Sequence, residues 1–233
     1  MNWIKEIIPS FSHLFFPHTC AGCGSDLVGE GQLLCLDCIN NLPLTNFELY
    51  ANNPAEKIFW GRADVSSATS QYYFTKNSIL QNILHQFKYK GKKHIGLYFG
   101  KIMGETLNKS DRFNTVDAIV PLPLFITREK IRGYNQAGIL AEGISSVMNI
   151  PVLQNAIVRA ISTSTQTKKN RIERWQNIRG KFELKDKESL HNKHVLLVDD
   201  VMTTGATLDA CANELLEAEG VKISIATLAY AII

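Results

Sequence analysis

His194-Val-Leu-Leu-Val-Asp-Asp-Val-Met-Thr-Thr-Gly-Ala-Thr-Leu208 is the stretch that decides how this chain folds. Its four apolar residues after His194 read as a buried strand, and two adjacent carboxylates, Asp199 and Asp200, stand at the C-terminal end of that strand. Ligands of open α/β sheets gather at that end. Thr203, Thr204, Gly205, Ala206 and Thr207 follow and open a helix. Small residues let the backbone wrap closely around an anion, while exposed N–H groups and the positive end of the helix dipole favour a phosphate there. The threonine hydroxyls add donors. Thr-Thr-Gly is also a serviceable helix start with no ligand at all, but that reading does not account for two carboxylates placed just before it. A Walker loop is excluded, because no G-x4-G-K-[ST] occurs in the chain.

Outward from this stretch, strand-like and helical patterns alternate. Residues 68–74, 116–122, 152–157, 194–201 and 221–230 read as extended, and 77–89, 94–107, 133–148, 171–179 and 205–219 as helical. Strands alternating with helices predict a mostly parallel sheet covered on both faces, an α/β fold. Residues 41–66 have weak periodicity and read as a connector. Residues 1–16 place Trp3, Ile4, Ile7, Ile8, Phe11, Leu14 and Phe15 at helical spacing, a short amphipathic helix packed on its own protein. The 233 residues divide into an N-terminal helix and cysteine module (1–50), a connector (51–66) and an α/β domain (67–233).

With 45% hydrophobic and 20% charged residues, the composition is that of an ordinary globular protein. The net charge of +3 permits an anionic partner without demanding one. No apolar run approaches the roughly 18 residues that suggest a membrane span, and no signal peptide is read at the N-terminus. The expected location is the cytoplasm.

Cys20, Cys23, Cys35 and Cys38 form C-x2-C, eleven residues, C-x2-C. Each C-x2-C turn brings two thiolates onto one ion, and the gap returns the second pair to complete a tetrahedron, an arrangement that suits structural Zn²⁺. Gly22, Gly24, Gly29 and Gly31 supply the tight turns. Two disulfides are the alternative, but nothing in the sequence suggests secretion. Four thiolates leave no open coordination position, so no catalysis is expected at this metal. Cys211 falls on the apolar face of the last helix and reads as a core residue.

Three further stretches complete the pattern. They are Phe87-Lys-Tyr-Lys-Gly-Lys-Lys93; Val120-Pro-Leu-Pro-Leu124 followed by Arg128, Lys130 and Arg132-Gly-Tyr-Asn-Gln136; and Arg159, Thr165-Gln166, Arg171, Arg174, Asn177 and Phe182. Residues 159–181 carry seven basic residues against Glu173 alone. They read either as a solvated face or as a flap that closes over a site. Lys88, Tyr89 and Lys90, and likewise Arg171, Arg174 and Trp175, interleave basic and aromatic side chains, as nucleic-acid binding uses them. Tyr89 and Trp175 read equally well as packing residues.

The segment 195–208 resembles the binding motif for 5-phosphoribosyl 1-pyrophosphate (PRPP) of type I phosphoribosyltransferases. With the cysteine module and the three stretches above, nearly the whole chain resembles the ComF family of competence proteins, also called the GntX group. The resemblance implies a type I phosphoribosyltransferase fold with a small N-terminal zinc module. It implies that Asp199 and Asp200, the catalytic candidates, hold the ribose hydroxyls. Thr203, Thr204, Gly205, Ala206 and Thr207 would then hold the 5-phosphate, with Mg²⁺ carried by PRPP. It further implies that Pro121, Leu122 and Pro123 form the pyrophosphate loop, stiffened by its prolines, with Arg128 and Arg132 available to neutralise the anion. Gly133 is expected to begin the next helix, with Asn135 and Gln136 aimed at the cleft.

The function implied is a role in DNA uptake, acting on single-stranded DNA together with competence or DNA-processing proteins. The intact acidic pair and loop equally suit an active phosphoribosyltransferase with an unidentified base or amine acceptor. A third reading is a PRPP-sensing scaffold that binds ligand without turnover.

Overall fold

The computed structural model describes residues 19–26, 28, 29, 31–159 and 182–231. The helices expected over 1–16 and 171–179, and the flap beyond Arg159, lie outside these residues. In chain order the elements are α1 (Leu36–Asn40), α2 (Pro54–Lys57), β1 (Ser67–Phe74), α3 (Ile79–Tyr89), α4 (Lys93–Asn108), β2 (Ala118–Pro121), α5 (Ile126–Arg132), α6 (Gln136–Met148), β3 (Ile157–Arg159), β4 (Phe182–Leu184), β5 (His194–Met202), α7 (Ala206–Leu215) and β6 (Lys222–Ala231).

Four parallel strands form the main sheet in the order β1-β6-β5-β2. Alternation along β5 divides the core. Leu196 and Val198 face a cluster with Ile83, Phe87, Phe99 and Leu140 from α3, α4 and α6. Val195 and Leu197 face the other cluster, with Leu208, Cys211 and Leu215 of α7. A strand buried on both sides must be apolar at every position, and Val195 to Val198 are fully buried. From β5 the chain crosses through α7 to β6 on one side. From β2 it crosses through α6 to Val152, which bridges Ile119 on the other. The strand order therefore reverses between β2 and β5, the topological switch point where such sheets bind ligands. β3 and β4 pair antiparallel in a separate small sheet.

Helices α4 and α6 cross with almost no space between their backbones. A Cβ on Gly100 would lie 2.4 Å from the Leu140 carbonyl oxygen, and one on Gly143 would lie 2.7 Å from Gly100 Cα.

Three local readings need correction. The helix predicted over 133–148 is α6, which begins at Gln136 after an Asn135 cap, and a separate short helix that the pattern does not predict, α5, precedes it and is capped by Gly133 with a φ of 79°. The basic residues of 128–132 masked the short helix, because it buries no side chain and so leaves no apolar stripe. The extended stretch predicted over 152–157 is a single bridge at Val152, and the paired strand starts at Ile157.

The third concerns residues 41–66, which hold a 3-10 turn (Phe47–Leu49) and α2, with Phe47, Ala55 and Phe59 buried. Asn53 ties this segment down by donating to the carbonyls of Phe47, Tyr50 and Ala68. Glu56 pairs with Arg112 and accepts from the amides of Asn52 and Ala68. Polar anchors of this kind carry no hydrophobic period, so the sequence pattern is silent about them.

Candidate functional site

Strand β5 carries the acidic pair to the switch point and sends the two carboxylates to opposite faces. Asp200 points with Leu196 and Val198 toward α3, where Lys88 Nζ lies 3.1 Å from Oδ1 and 3.0 Å from Oδ2. Asp200 is 8% exposed. Asp199 points toward α7, and its Oδ1 accepts the Asp200 amide at 2.8 Å. Burial, with Asp200 beside it, pushes the Asp199 carboxyl up to about 8, against the pull of Lys88 and Arg159. A vicinal diol suits this pair, because two adjacent carboxyls favour a shared proton, so that one can donate while the other accepts.

The loop after β5 is shaped for an anion. Gly205 is the α7 cap with φ of 69°, and no side chain caps the helix. Its amides are therefore free to meet a phosphate. Thr203, Thr204, Ala206 and Thr207 are exposed around the buried Gly205. A Cβ on Gly205 would lie 2.3 Å from Ile58 Cγ2, and Arg62 donates to the Thr204 carbonyl at 3.1 Å. Residues 58–62 thus brace the loop from below.

At the neighbouring strand end, Pro121 and Leu122 are buried and the Leu122 amide donates to the Val198 carbonyl at 2.8 Å. The two arginines placed beside this loop by the sequence go different ways. Arg128 is exposed, and the Arg159 guanidinium lies 3.6 Å from the Phe125 ring centroid, where burial and the Arg128 charge lower its pKa and Asp199 raises it. Arg132 turns to the α3 side, donating to Gln136 Oε1 at 2.7 Å with its guanidinium 5.6 Å from the Tyr89 ring centroid. Asn135 and Gln136 are not aimed at the cleft. Asn135 donates to the Leu122 carbonyl and caps α6, and Gln136 is buried against Tyr134 and Arg132.

Sequence reasoning missed Arg62 and Ile58 as braces of the loop, since their roles depend on contacts across about 145 residues of chain. It placed Lys88 among nucleic-acid candidates, and the structure puts its ammonium on Asp200. Tyr89 and Lys90 are exposed at the end of α3. Arg171, Arg174 and Trp175 lie outside the described residues.

The four cysteines converge: Sγ atoms of Cys20, Cys23, Cys35 and Cys38 all lie within 4.8 Å of one another. Cys23 and Cys35 Sγ are 3.8 Å apart, which matches the edge of a tetrahedron built on Zn–S bonds of about 2.3 Å. Cys20 Sγ accepts from the amides of Gly22 and Cys35, and Cys35 Sγ from that of Cys38. At Cys20 burial acts upward, but the amide donors outweigh it and hold the thiol at about 6. This donor set can hold a metal ion. The module rests on α3, where Gln86 donates to the Ala21 carbonyl at 2.6 Å and Asn82 to that of Gly22 at 3.1 Å. Cys20, Leu34 and Cys38 belong to the same core cluster as Leu80, Ile83 and Phe87. No helix among the described residues is long and apolar enough to cross a membrane.

Comparison with known proteins agrees with this architecture. The phosphoribosyl transferase domain matches residues 132–232. The chain is 30% identical over 211 residues to competence protein F of Haemophilus influenzae, covering 89% of this chain and 81% of that protein. It is 32% identical over 146 residues to competence protein ComFC of Bacillus subtilis, covering 62% and 56%. It is 29% identical over 140 residues to the DNA utilization protein YhgH of Escherichia coli, covering 59% and 61%.

Proposed function

This chain belongs to the ComF family of competence proteins, and from that membership we propose that it acts in DNA uptake, handling single-stranded DNA in the cytoplasm with a pocket that binds PRPP or a ribose-5-phosphate-like ligand. The observation that carries the pocket is the run from the buried strand through Asp199 and Asp200 into a helix start with no side-chain cap, at the switch point of the sheet. In this reading the acidic pair takes the ribose hydroxyls, and the amides and hydroxyls of 203–207 take the 5-phosphate. Mg²⁺ arrives with the pyrophosphate, whose charge Arg128 and Arg159 offset. The cysteine module holds a structural Zn²⁺. Single-stranded DNA is supported by the relatives named for competence and DNA utilization and by the exposed Tyr89 and Lys90.

The test is genetic. A deletion strain should lose natural transformation while growing normally without added purines or pyrimidines, and the Asp199→Asn/Asp200→Asn chain should fail to restore uptake. Full restoration by that variant would remove the pocket from the function.

A second reading, an active phosphoribosyltransferase, is favoured by the intact acidic pair and loop. It predicts pyrophosphate release from PRPP·Mg²⁺ with some base or amine in an acceptor screen.

A further inference from the structure

Two clefts flank the last turns of α3 and share a wall. The first, about 370 Å³, lies between the cysteine module and α3 and is polar, lined by Thr19, Asn82, His85, Gln86, Lys90 and Lys92 together with residues of the Cys20–Gly24 turn. The second, about 380 Å³, is apolar along Phe74, Leu84, Tyr89 and Val201 and ends at Lys88, Asp200 and Thr203. His85 belongs to both. Its ring packs on Tyr89 at 5.2 Å between centroids, and Tyr89 is 61% exposed with the Arg132 guanidinium near its ring.

We propose that a single-stranded nucleic acid crosses α3 here, with its phosphates in the polar cleft over Lys90 and Lys92 and a base stacked on Tyr89 at the mouth of the apolar one. The inference rests on the single-stranded DNA reading above and fixes where on the surface the strand lies. Three observations carry it. The charge fits: among the described residues neither Lys90 nor Lys92 meets a carboxylate, and Lys92 is held at the cleft by Gln86 Oε1 at 2.7 Å. The surface fits: an exposed ring between a cation and an apolar hollow is what a base needs, since every base has a π-face and its phosphates need cations beside it. The size fits one nucleotide on each side of the His85–Tyr89 ridge, because a pocket of about 300 Å³ or more holds a small ligand. Duplex DNA keeps its bases stacked inside and cannot use the ring, so the site selects single strands.

The experiment is fluorescence anisotropy with a labelled oligothymidylate of about 12 nucleotides, a length chosen to span an ordinary single-strand site. Wild type, Tyr89→Ala, Lys90→Ala/Lys92→Ala, and a control, Lys101→Ala/Lys109→Ala, whose exposed lysines line neither cleft, are compared. The melting-temperature shift with PRPP·Mg²⁺ reports on the sugar-phosphate pocket in each. Tyr89→Ala should weaken the oligonucleotide about tenfold. The Lys90/Lys92 variant should weaken it at least as much and flatten its salt dependence. The control should stay within about twofold of wild type, because exposed charges away from the strand contribute little. All three variants should keep the wild-type response to PRPP. Oligonucleotides carrying 5-iododeoxyuridine should crosslink to Tyr89 or His85, a readout that needs no variant. Tight wild-type binding that neither variant weakens would overturn this placement and leave the single-stranded DNA reading standing. No wild-type binding would remove both. Equal losses for duplex and single strand in every variant would reduce the site to charge alone and overturn the stacking.

Discussion

Asp199 and Asp200 are adjacent, yet each is controlled by a different part of the chain. Asp200 is fixed by Lys88 from α3, and Asp199 is left to burial and to its neighbour's charge. The sign of the pH effect follows. A carboxyl whose folded pKa is raised contributes stability below its unfolded value near 4, and that stability is lost as pH rises toward about 8. Asp199→Asn should therefore melt higher than wild type at pH 8.5, by about 3 °C or more, and match it at pH 4.5. Thermal scans across that range check it, and a constant offset would contradict it. Lys88→Ala leaves Asp200 without its partner. It should destabilise the fold by about 1–2 kcal/mol, less than a fully buried pair because both groups keep some water. Lys88→Met/Asp200→Asn should recover most of that loss in a denaturant-based double-mutant cycle.

At the scale of elements, the β5–loop–α7 unit was legible in the sequence because its two signals are local: a run of apolar residues, and small residues at a helix start. The supports of that unit were not. Ile58 and Arg62 come from a segment whose order rests on Asn53, Glu56 and Arg112, polar contacts with no period to read. Helix α5 was missed for a similar reason, since it is exposed all round, with Ile131 81% exposed. The register of α4 on α6 depends on glycines whose purpose shows only in three dimensions. Gly100→Ala drives a methyl into the Leu140 carbonyl and Gly143 Cα, backbone atoms that cannot turn aside, and should cost about 3 kcal/mol. Gly138→Ala is the contrast: its methyl meets only Asn135 Cβ at 3.7 Å, so the helix should gain about 0.5–1 kcal/mol. Urea unfolding of both variants tests the packing, and equal effects would refute it.

Across the whole molecule, helix α3 joins the parts. It carries the cysteine module on Asn82 and Gln86, buries Ile83 and Phe87 in the core, and ends with Lys88 on the acidic pair. The sequence separated the cysteine module from the α/β pattern by composition alone, whereas the structure runs one hydrophobic cluster through both. On the proposed reading of the cysteines as a structural Zn²⁺ site, Cys38→Ser should therefore abolish zinc binding and lower the melting temperature of a single cooperative transition. Two separate transitions would mean that the module folds on its own. The proposed role of the acidic pair makes the pocket at the switch point a live sugar-phosphate site. Calorimetric titration of PRPP with Mg²⁺ into wild type and into Asp199→Asn/Asp200→Asn decides whether it is. Saturable one-to-one binding to the wild type, abolished in the folded variant, is the predicted result. A folded wild type that takes up no PRPP would show that this loop holds no sugar phosphate.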